Sequence, residues 1–217
     1  MRRALLAAAV LVALALAGPA AARKKPALPR CNAPAHTLVK TAHVRFFLSK
    51  FKYYACWRAT GRVTLAYPRG REGGGVGGDL HAVVVGRYVG FVATSLFDPD
   101  GFSDEIVSMD ARTGRSVHRR YADLDTFADS AISAFAMDVR GSLAYLETFQ
   151  GGPGMDGPCQ QPAGNTAALL AIDHGGRRTL DCQGSGEPAG QQIAGLAVAG
   201  SVVSWQHLGT TRTAPLG

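Results

Sequence analysis

The sequence predicts an all-β protein built from repeated four-stranded antiparallel meanders. Three observations predict this fold class. Short apolar runs rich in Val, Tyr, Phe and Thr alternate with Gly, Pro, Asp and Asn. Helical periodicity is almost absent, with residues 124–136 as the best helix candidate. Two separate sequence markers also recur at similar spacing. A β-sandwich made from the same hairpins is the alternative architecture.

The first marker is a Gly-Arg turn that follows one predicted strand and precedes the next. It occurs at residues 60–62, 113–115 and 175–177. Glycine permits the positive φ of a tight hairpin. Asp110 and Asp173 stand just before two of these turns, so we expect their carboxylates to accept hydrogen bonds from the amides of the turn.

The second marker is an apolar run, a Gly, and a second run centred on an aromatic residue. The central aromatics are Phe91, Tyr145 and Trp205, which are 54 and 60 residues apart. The two markers together predict units at about 36–68, 79–121 and 131–183, and a fourth unit from Gln192 that shows only two strands. The first unit is compressed but has the same final two strands as the others.

Two segments carry a resemblance to a known family. Residues 85–91 read VGRYVGF and residues 106–115 read IVSMDARTGR. They resemble the WD-repeat-like, TolB-like β-propellers of bacterial exported proteins, whose blades are four-stranded meanders. The resemblance covers most of 36–217 and implies a partial or small β-propeller of about three and a half blades. Because closed propellers have about four or more blades, either the N-terminal segment completes the last blade or the chain is a truncated relative.

The first 22 residues predict a secretory signal peptide. Arg2 and Arg3 precede an apolar run at 4–17, and small residues at 20–22 precede a basic segment. The apolar run has 14 residues, fewer than the roughly 20 that span a bilayer. We expect a basic, Pro-rich tail at 23–35, a repeat domain at 36–217, and a secreted or extracytoplasmic mature chain without a transmembrane anchor.

Four cysteines lie after the predicted signal peptide: Cys31, Cys56, Cys159 and Cys182. An even number in an exported protein predicts two disulfides. Of the three possible pairings, we expect Cys31–Cys56 and Cys159–Cys182, because the members of each pair are close in sequence.

Charge is segregated along the chain. Residues 23–71 contain twelve Lys or Arg and no acid, whereas residues 72–217 contain nine Lys or Arg and all sixteen acids. We expect the basic early strands to pair with acidic later strands inside one fold. The alternative is a basic face for an anionic partner such as a cell-envelope polymer. A protein partner is also open, whereas export argues against nucleic acid.

One loop has the composition of a cation site. Residues 98–105 read DPDGFSDE, and Asp98, Asp100 and Asp104 could direct carboxylate oxygens at Ca²⁺, which takes six to eight oxygen ligands. The alternative is a solvated hairpin loop. We expect no cofactor, with calcium at this loop as the alternative. No zinc-protease, P-loop or nucleophile-elbow motif is present in the sequence.

These patterns favour an exported, disulfide-stapled binding or interaction module without identifiable catalysis. The alternative is a secreted hydrolase or lyase that uses carboxylates on one blade face. The acids available to it are Asp98, Asp100, Asp104, Asp123, Asp125 and Asp129. A degenerate fragment without an independent role is the third interpretation.

Overall fold

The computed structural model describes residues 27–50, 52–67, 81–97, 101–122, 130–149, 159, 165–184, 187–188 and 190–217. These residues form strands and turns but no helix, so the all-β prediction is confirmed. In the described residues, no helix is long and apolar enough to span a bilayer.

The strands form four consecutive antiparallel meanders, called sheets 1 to 4. Sheet 1 contains His36–Lys40 (β1), Val44–Ser49 (β2), Lys52–Trp57 (β3) and Arg62–Tyr67 (β4). Sheet 2 contains Ala82–Val85 (β5), Tyr88–Phe97 (β6), Gly101–Asp110 (β7) and Arg115–Tyr121 (β8). Sheet 3 contains Ser130–Met137 (β9), Leu143–Phe149 (β10), Asn165–Asp173 (β11) and Gly176–Gly184 (β12). Sheet 4 contains Ala194–Ala199 (β13), Val202–His207 (β14) and Thr210–Pro215 (β15).

Three details differ from the sequence predictions. The first unit has four full strands, and the fourth unit has three strands instead of two. Residues 130–136, the second half of the helix candidate, belong to strand β9, while 124–129 lie outside the described residues. Strand β9 pairs with β10, and Ser130 forms a single parallel pair with Ser103. These strand contacts outweigh the weak helix preference of residues 130–136.

The recurring markers have a common role in packing. Phe91, Tyr145 and Trp205 occupy the second strands of sheets 2, 3 and 4, and each packs against the preceding sheet. Phe91, for example, stacks on Phe46 with ring centroids 5.1 Å apart. The first strands also contact one another in the series β1, β5, β9, β13. Successive sheets of three or four strands packed face to face in this way make a partial, propeller-like fold.

The recurring turns follow the expected chemistry. Gly61, Gly114 and Gly176 have φ of 68°, 74° and 103°. Asp110 Oδ1 accepts hydrogen bonds from the amides of Arg112 and Thr113. Asp173 Oδ1 accepts one from the amide of Gly175 at 2.8 Å. The turn-capping prediction for both aspartates is confirmed.

Both expected disulfides are present. Cys31 is bonded to Cys56 with Cα atoms 5.5 Å apart, and Cys159 to Cys182 at 5.9 Å. The first fastens the end of the predicted tail to the outer face of sheet 1. There the guanidinium of Arg45 donates hydrogen bonds to the carbonyl oxygens of Cys31, Ala33 and Ala35.

Candidate functional site

The connections between strands sort into two ends of the molecule. Strand direction alternates within each meander, and Ser103 of β7 pairs parallel with Ser130 of β9, which aligns sheets 2 and 3. We call one end the turn end; its connections are 41–43, 58–61, 86–87, 111–114, 138–142, 174–175 and 200–201. The other, the loop end, carries the connections 50–51, 68–81, 98–100, 122–129, 150–164, 185–193 and 208–209. All of the longest connections therefore start and finish at the loop end.

The acidic residues are distributed between the loop-end connections and the strands or turns. Nine of the sixteen acids belong to loop-end connections, and of these only Glu187 lies in the described residues. The nine are Glu72, Asp79, Asp98, Asp100, Asp123, Asp125, Asp129, Asp156 and Glu187. The other seven acids lie on strands or at turns, where the structure shows what each one contacts.

Six of those seven acids pair with an arginine. The pairs are Glu105 with Arg119, Asp110 with Arg87, Asp138 with Arg140, Glu147 with Arg177, Asp173 with Arg178 and Asp181 with Arg212. The acid side chains are almost inaccessible, with at most 9% exposed. Most of these pairs join different strands or turns, and all six carboxylates are largely shielded from solvent.

Asp104 is the only member of the predicted calcium site in the described residues. Its side chain is buried, and Oδ2 accepts a hydrogen bond from the amide of Ile132 at 2.8 Å. It thereby joins sheet 2 to sheet 3. Asp98 and Asp100 lie outside the described residues, and no group of three potential metal ligands occurs within them. Calcium binding stays a prediction.

A buried acid also shapes the contact between sheets 1 and 2. Burial raises the pKa of Glu105, against the opposing effect of Arg119, whose Nε lies 2.5 Å from Oε1. Burial and the neighbouring Glu105 raise the pKa of Tyr67 to about 12. Glu105 is fully buried, so its carboxylate is not displayed on the surface.

Sheets 3 and 4 are joined by a cluster that sequence patterns did not reveal. His207 is 3% exposed; its Nδ1 lies 2.9 Å from Asp181 and its Nε2 lies 2.9 Å from Glu187. Asp181 also accepts hydrogen bonds from Trp205 Nε1 at 2.7 Å and from Arg212 at 2.8 Å. These residues are 20 to 31 positions apart from their partners. No local motif could therefore have indicated the cluster.

One Ser–His arrangement also forms, at the interface of sheets 2 and 3. Ser108 and His118 are direct partners on β7 and β8, and the His118 ring lies 5.7 Å from that of His174. Burial and the neighbouring His174 lower the pKa of His118. Ser108 is 0% exposed, so its hydroxyl is closed to a substrate.

The exposed charge at the turn end is of the opposite sign. Six exposed cations lie at the turns of sheets 1 and 2, and we call them the basic turn surface: Lys40, Arg58, Arg62, Arg87, Arg112 and Arg115. The turns adjoin one another. Arg62 Nη1 donates to the carbonyl oxygen of Arg112 at 3.4 Å, and the amide of Ala111 donates to the carbonyl oxygen of Arg87 at 2.9 Å.

Acids neutralise little of this surface. Every ion pair in the described residues joins two partners that both follow residue 86. Arg58 instead donates to the carbonyl oxygens of Thr41 and Ala42. The expected pairing of basic early strands with later acids is therefore not found in the described part of the chain. The alternative, a basic face for an anionic partner, stays a prediction.

Comparisons with known proteins give one structural likeness. No protein-family model matches the sequence, and no curated protein matches it. Among solved structures, the fold is similar to part of the crystal structure of the tricorn protease, with a TM-score of 0.45 and 10% identity. The match covers 75% of this chain and 18% of that chain.

Proposed function

We propose that this chain is an exported, disulfide-stapled binding module that acts without catalysis. One observation carries the proposal. The described acids are committed to buried ion pairs and hydrogen bonds, whereas five of the six cations of the basic turn surface pair with no acid in the described residues and Arg87 alone pairs with Asp110. A scaffold that buries its reactive groups and displays charge is suited to binding.

Three features support export and the binding role. The first 22 residues have the order of a secretory signal peptide. Two disulfides are typical of an oxidising, extracytoplasmic compartment. The resemblance to WD-repeat-like and TolB-like propellers also favours an interaction role, because their repeats display surfaces for partners.

A secreted hydrolase or lyase remains the second candidate. Its support is the concentration of nine acids in loop-end connections, because a pair of carboxylates can act as general acid and base. Asp98, Asp100, Asp123, Asp125 and Asp129 all belong to those connections.

An envelope sedimentation assay separates the two candidates. The secreted protein is mixed with isolated cell envelopes, and the pellet and supernatant are assayed for protein, new reducing ends and unsaturated sugar products. We expect the protein in the pellet and no products in the supernatant. Protein that stays in the supernatant would overturn the binding role, and released products would establish the enzyme.

Export has its own test. Intact-mass measurement of the secreted product should give a chain that begins at Arg23 and is four hydrogens lighter than the reduced form, as two disulfides require. A mass that retains residues 1–22 would contradict the signal-peptide prediction.

A further inference from the structure

We infer that the basic turn surface is the binding site, and that it takes a linear anionic polymer of the cell envelope with repeating phosphate or carboxylate groups. This inference rests on the proposed binding role and adds the site and the chemistry of the ligand. Its members are the six exposed cations Lys40, Arg58, Arg62, Arg87, Arg112 and Arg115.

The residue types suit that ligand. Five of the six cations are arginines, and a planar guanidinium donates two parallel hydrogen bonds to a carboxylate or phosphate. Arg112 and Arg115 have exposed side chains and pair with no acid in the described residues. Arg58 uses Nη1 on backbone carbonyls, which leaves its other N–H groups for a ligand.

The turns that carry these cations are fixed in place, which lowers the entropy lost on binding. Thr41 Oγ1 accepts a hydrogen bond from the amide of Val44 at 3.1 Å in one turn. Asp110 Oδ1 holds the amide of Arg112 at 2.8 Å in another. Asp110 is also the only acid that faces the surface in the described residues; it is 7% exposed and pairs with Arg87 at 3.3 Å.

The surface has the character of a polymer site more than that of a membrane site. Membrane-surface binding combines cations with exposed apolar side chains that enter the lipid. Of the large exposed apolar residues in the described chain, Val139 and Val202 lie at turns of sheets 3 and 4, outside the turns of sheets 1 and 2 that carry the six cations. The others, Leu28, Leu65, Tyr121 and Leu208, lie away from the turn-end connections. The turn end does carry one aromatic pair, His43 stacked on Trp57 at 5.8 Å, beside Arg58.

The uneven distribution of charge between the two ends of the molecule also indicates that the polymer binds at the turn end. The connections of the loop end contain nine acids and three cations, which are Lys50, Arg69 and Arg71. An anionic polymer is repelled from acids and attracted by the cations at the turn end. It should therefore meet the turn end first.

The test compares two double variants of equal charge change. Arg112→Glu/Arg115→Glu removes two cations from the basic turn surface. Lys50→Glu/Lys52→Glu makes the same change at the loop end of sheet 1. Binding to poly(glycerol phosphate) and to polygalacturonate is titrated at about 50 and 200 mM salt, after matched thermal unfolding shows that each variant is folded.

We expect the turn-end variant to lose at least about tenfold in affinity, or about 1.4 kcal/mol, and to show a weaker salt dependence. The loop-end variant should stay within about twofold of the parent. The polymer that binds better identifies phosphate or carboxylate as the recognised group. Equal losses in both variants, no loss in the turn-end variant, or tighter binding to phosphatidylglycerol vesicles than to either polymer would overturn the inference.

Sedimentation with whole envelopes tests the proposed binding role and the assigned binding surface separately. If the parent protein sediments and Arg112→Glu/Arg115→Glu sediments equally well, the binding role stands and the assigned surface is wrong. If the parent does not sediment, the binding role itself fails.

Discussion

Asp173 shows how one buried carboxylate fastens two sheets. Burial alone would raise the pKa of Asp173, but the guanidinium of Arg178 and the amides of Gly175 and Gly217 outweigh it and hold the pKa below its usual range. The amide of Gly217 lies 3.1 Å from Oδ2, so the residues after β15 are bound to the end of β11.

We expect Asp173→Asn to lower the free energy of unfolding at pH 7 by about 1–3 kcal/mol. A lowered pKa in the folded state stabilises the protein above the unfolded-state pKa of about 4, and this stabilisation is lost as the pH falls through the folded-state value. Urea unfolding from pH 7 down to about pH 2.5 should therefore show the gap between parent and variant closing only in acid. A gap that is constant across this range would contradict the account.

Gly114 is required by two independent constraints. Its φ is 74°, and a Cβ atom built there would lie 2.6 Å from Oγ1 of Thr64 on sheet 1. Gly61 has a similar φ of 68° but no neighbouring atom within 4 Å. Gly61→Ala therefore isolates the cost of backbone strain from the cost of the clash.

We expect Gly61→Ala to cost about 1 kcal/mol and Gly114→Ala about 2–3 kcal/mol in urea unfolding. In a Thr64→Ala background, the loss from Gly114→Ala should approach that from Gly61→Ala, because the Oγ1 and Cγ2 atoms are gone. Equal losses from the two single changes would show that sheet 1 does not crowd this turn.

At the scale of the element, sheet 4 depends on Asp181. Asp181 lies on strand β12 of sheet 3. Its carboxylate contacts His207, Trp205 and Arg212, which all belong to sheet 4. Sheet 4 has only three strands, so these polar contacts supplement a small apolar interface around Val203 and Leu216.

We expect Asp181→Ala to destabilise the protein by about 1–3 kcal/mol, because it leaves the buried imidazole of His207 and the N–H of Trp205 without their carboxylate, while the partly exposed Arg212 can turn to solvent. Hydrogen exchange should accelerate first in β13 to β15 and least in sheet 2. Glu187→Ala is the control, since Glu187 contacts one residue of sheet 4, His207, accepts its other hydrogen bond from the amide of Gly184 and is 18% exposed. Similar effects of the two changes would argue against the central role of Asp181.

The N-terminal segment is an element in its own right, held by a disulfide and by Arg45. The Cys31–Cys56 bond joins residues 25 positions apart, so Cys31→Ala/Cys56→Ala should cost about 3 kcal/mol. Tryptic cleavage at the exposed Arg30 should also become faster. Cys159→Ala/Cys182→Ala should leave the Arg30 cleavage rate unchanged, and a faster rate there would contradict local fastening.

At the scale of the whole molecule, contacts between residues close in sequence could be predicted, whereas contacts between distant strands and sheets could not. The Gly-Arg turns, the caps at Asp110 and Asp173 and the disulfide pairing follow from neighbours in sequence. Strand β15 was missed because TTRTAP carries almost no apolar residue; its partner β14 makes it a strand.

The basic turn surface also combines a part that the sequence predicts with a part that it does not. The excess of Lys and Arg in residues 23–71 is visible in the sequence, but whether acids neutralise it depends on which strands meet. Within the described residues, the arginines of the early turns donate hydrogen bonds to carbonyl oxygens, and the acids pair with later arginines. A sequence pattern cannot report that outcome, because it arises from packing between sheets.

Hydrogen exchange mapped by mass spectrometry, with and without poly(glycerol phosphate), tests the central claim most directly. Binding at the basic turn surface predicts slower exchange in peptides that cover 40–43, 58–62, 86–87 and 111–115, and unchanged exchange in peptides that contain 50–52 and 187–193. Protection confined to the loop-end peptides, or no protection at saturating polymer, would contradict the claim.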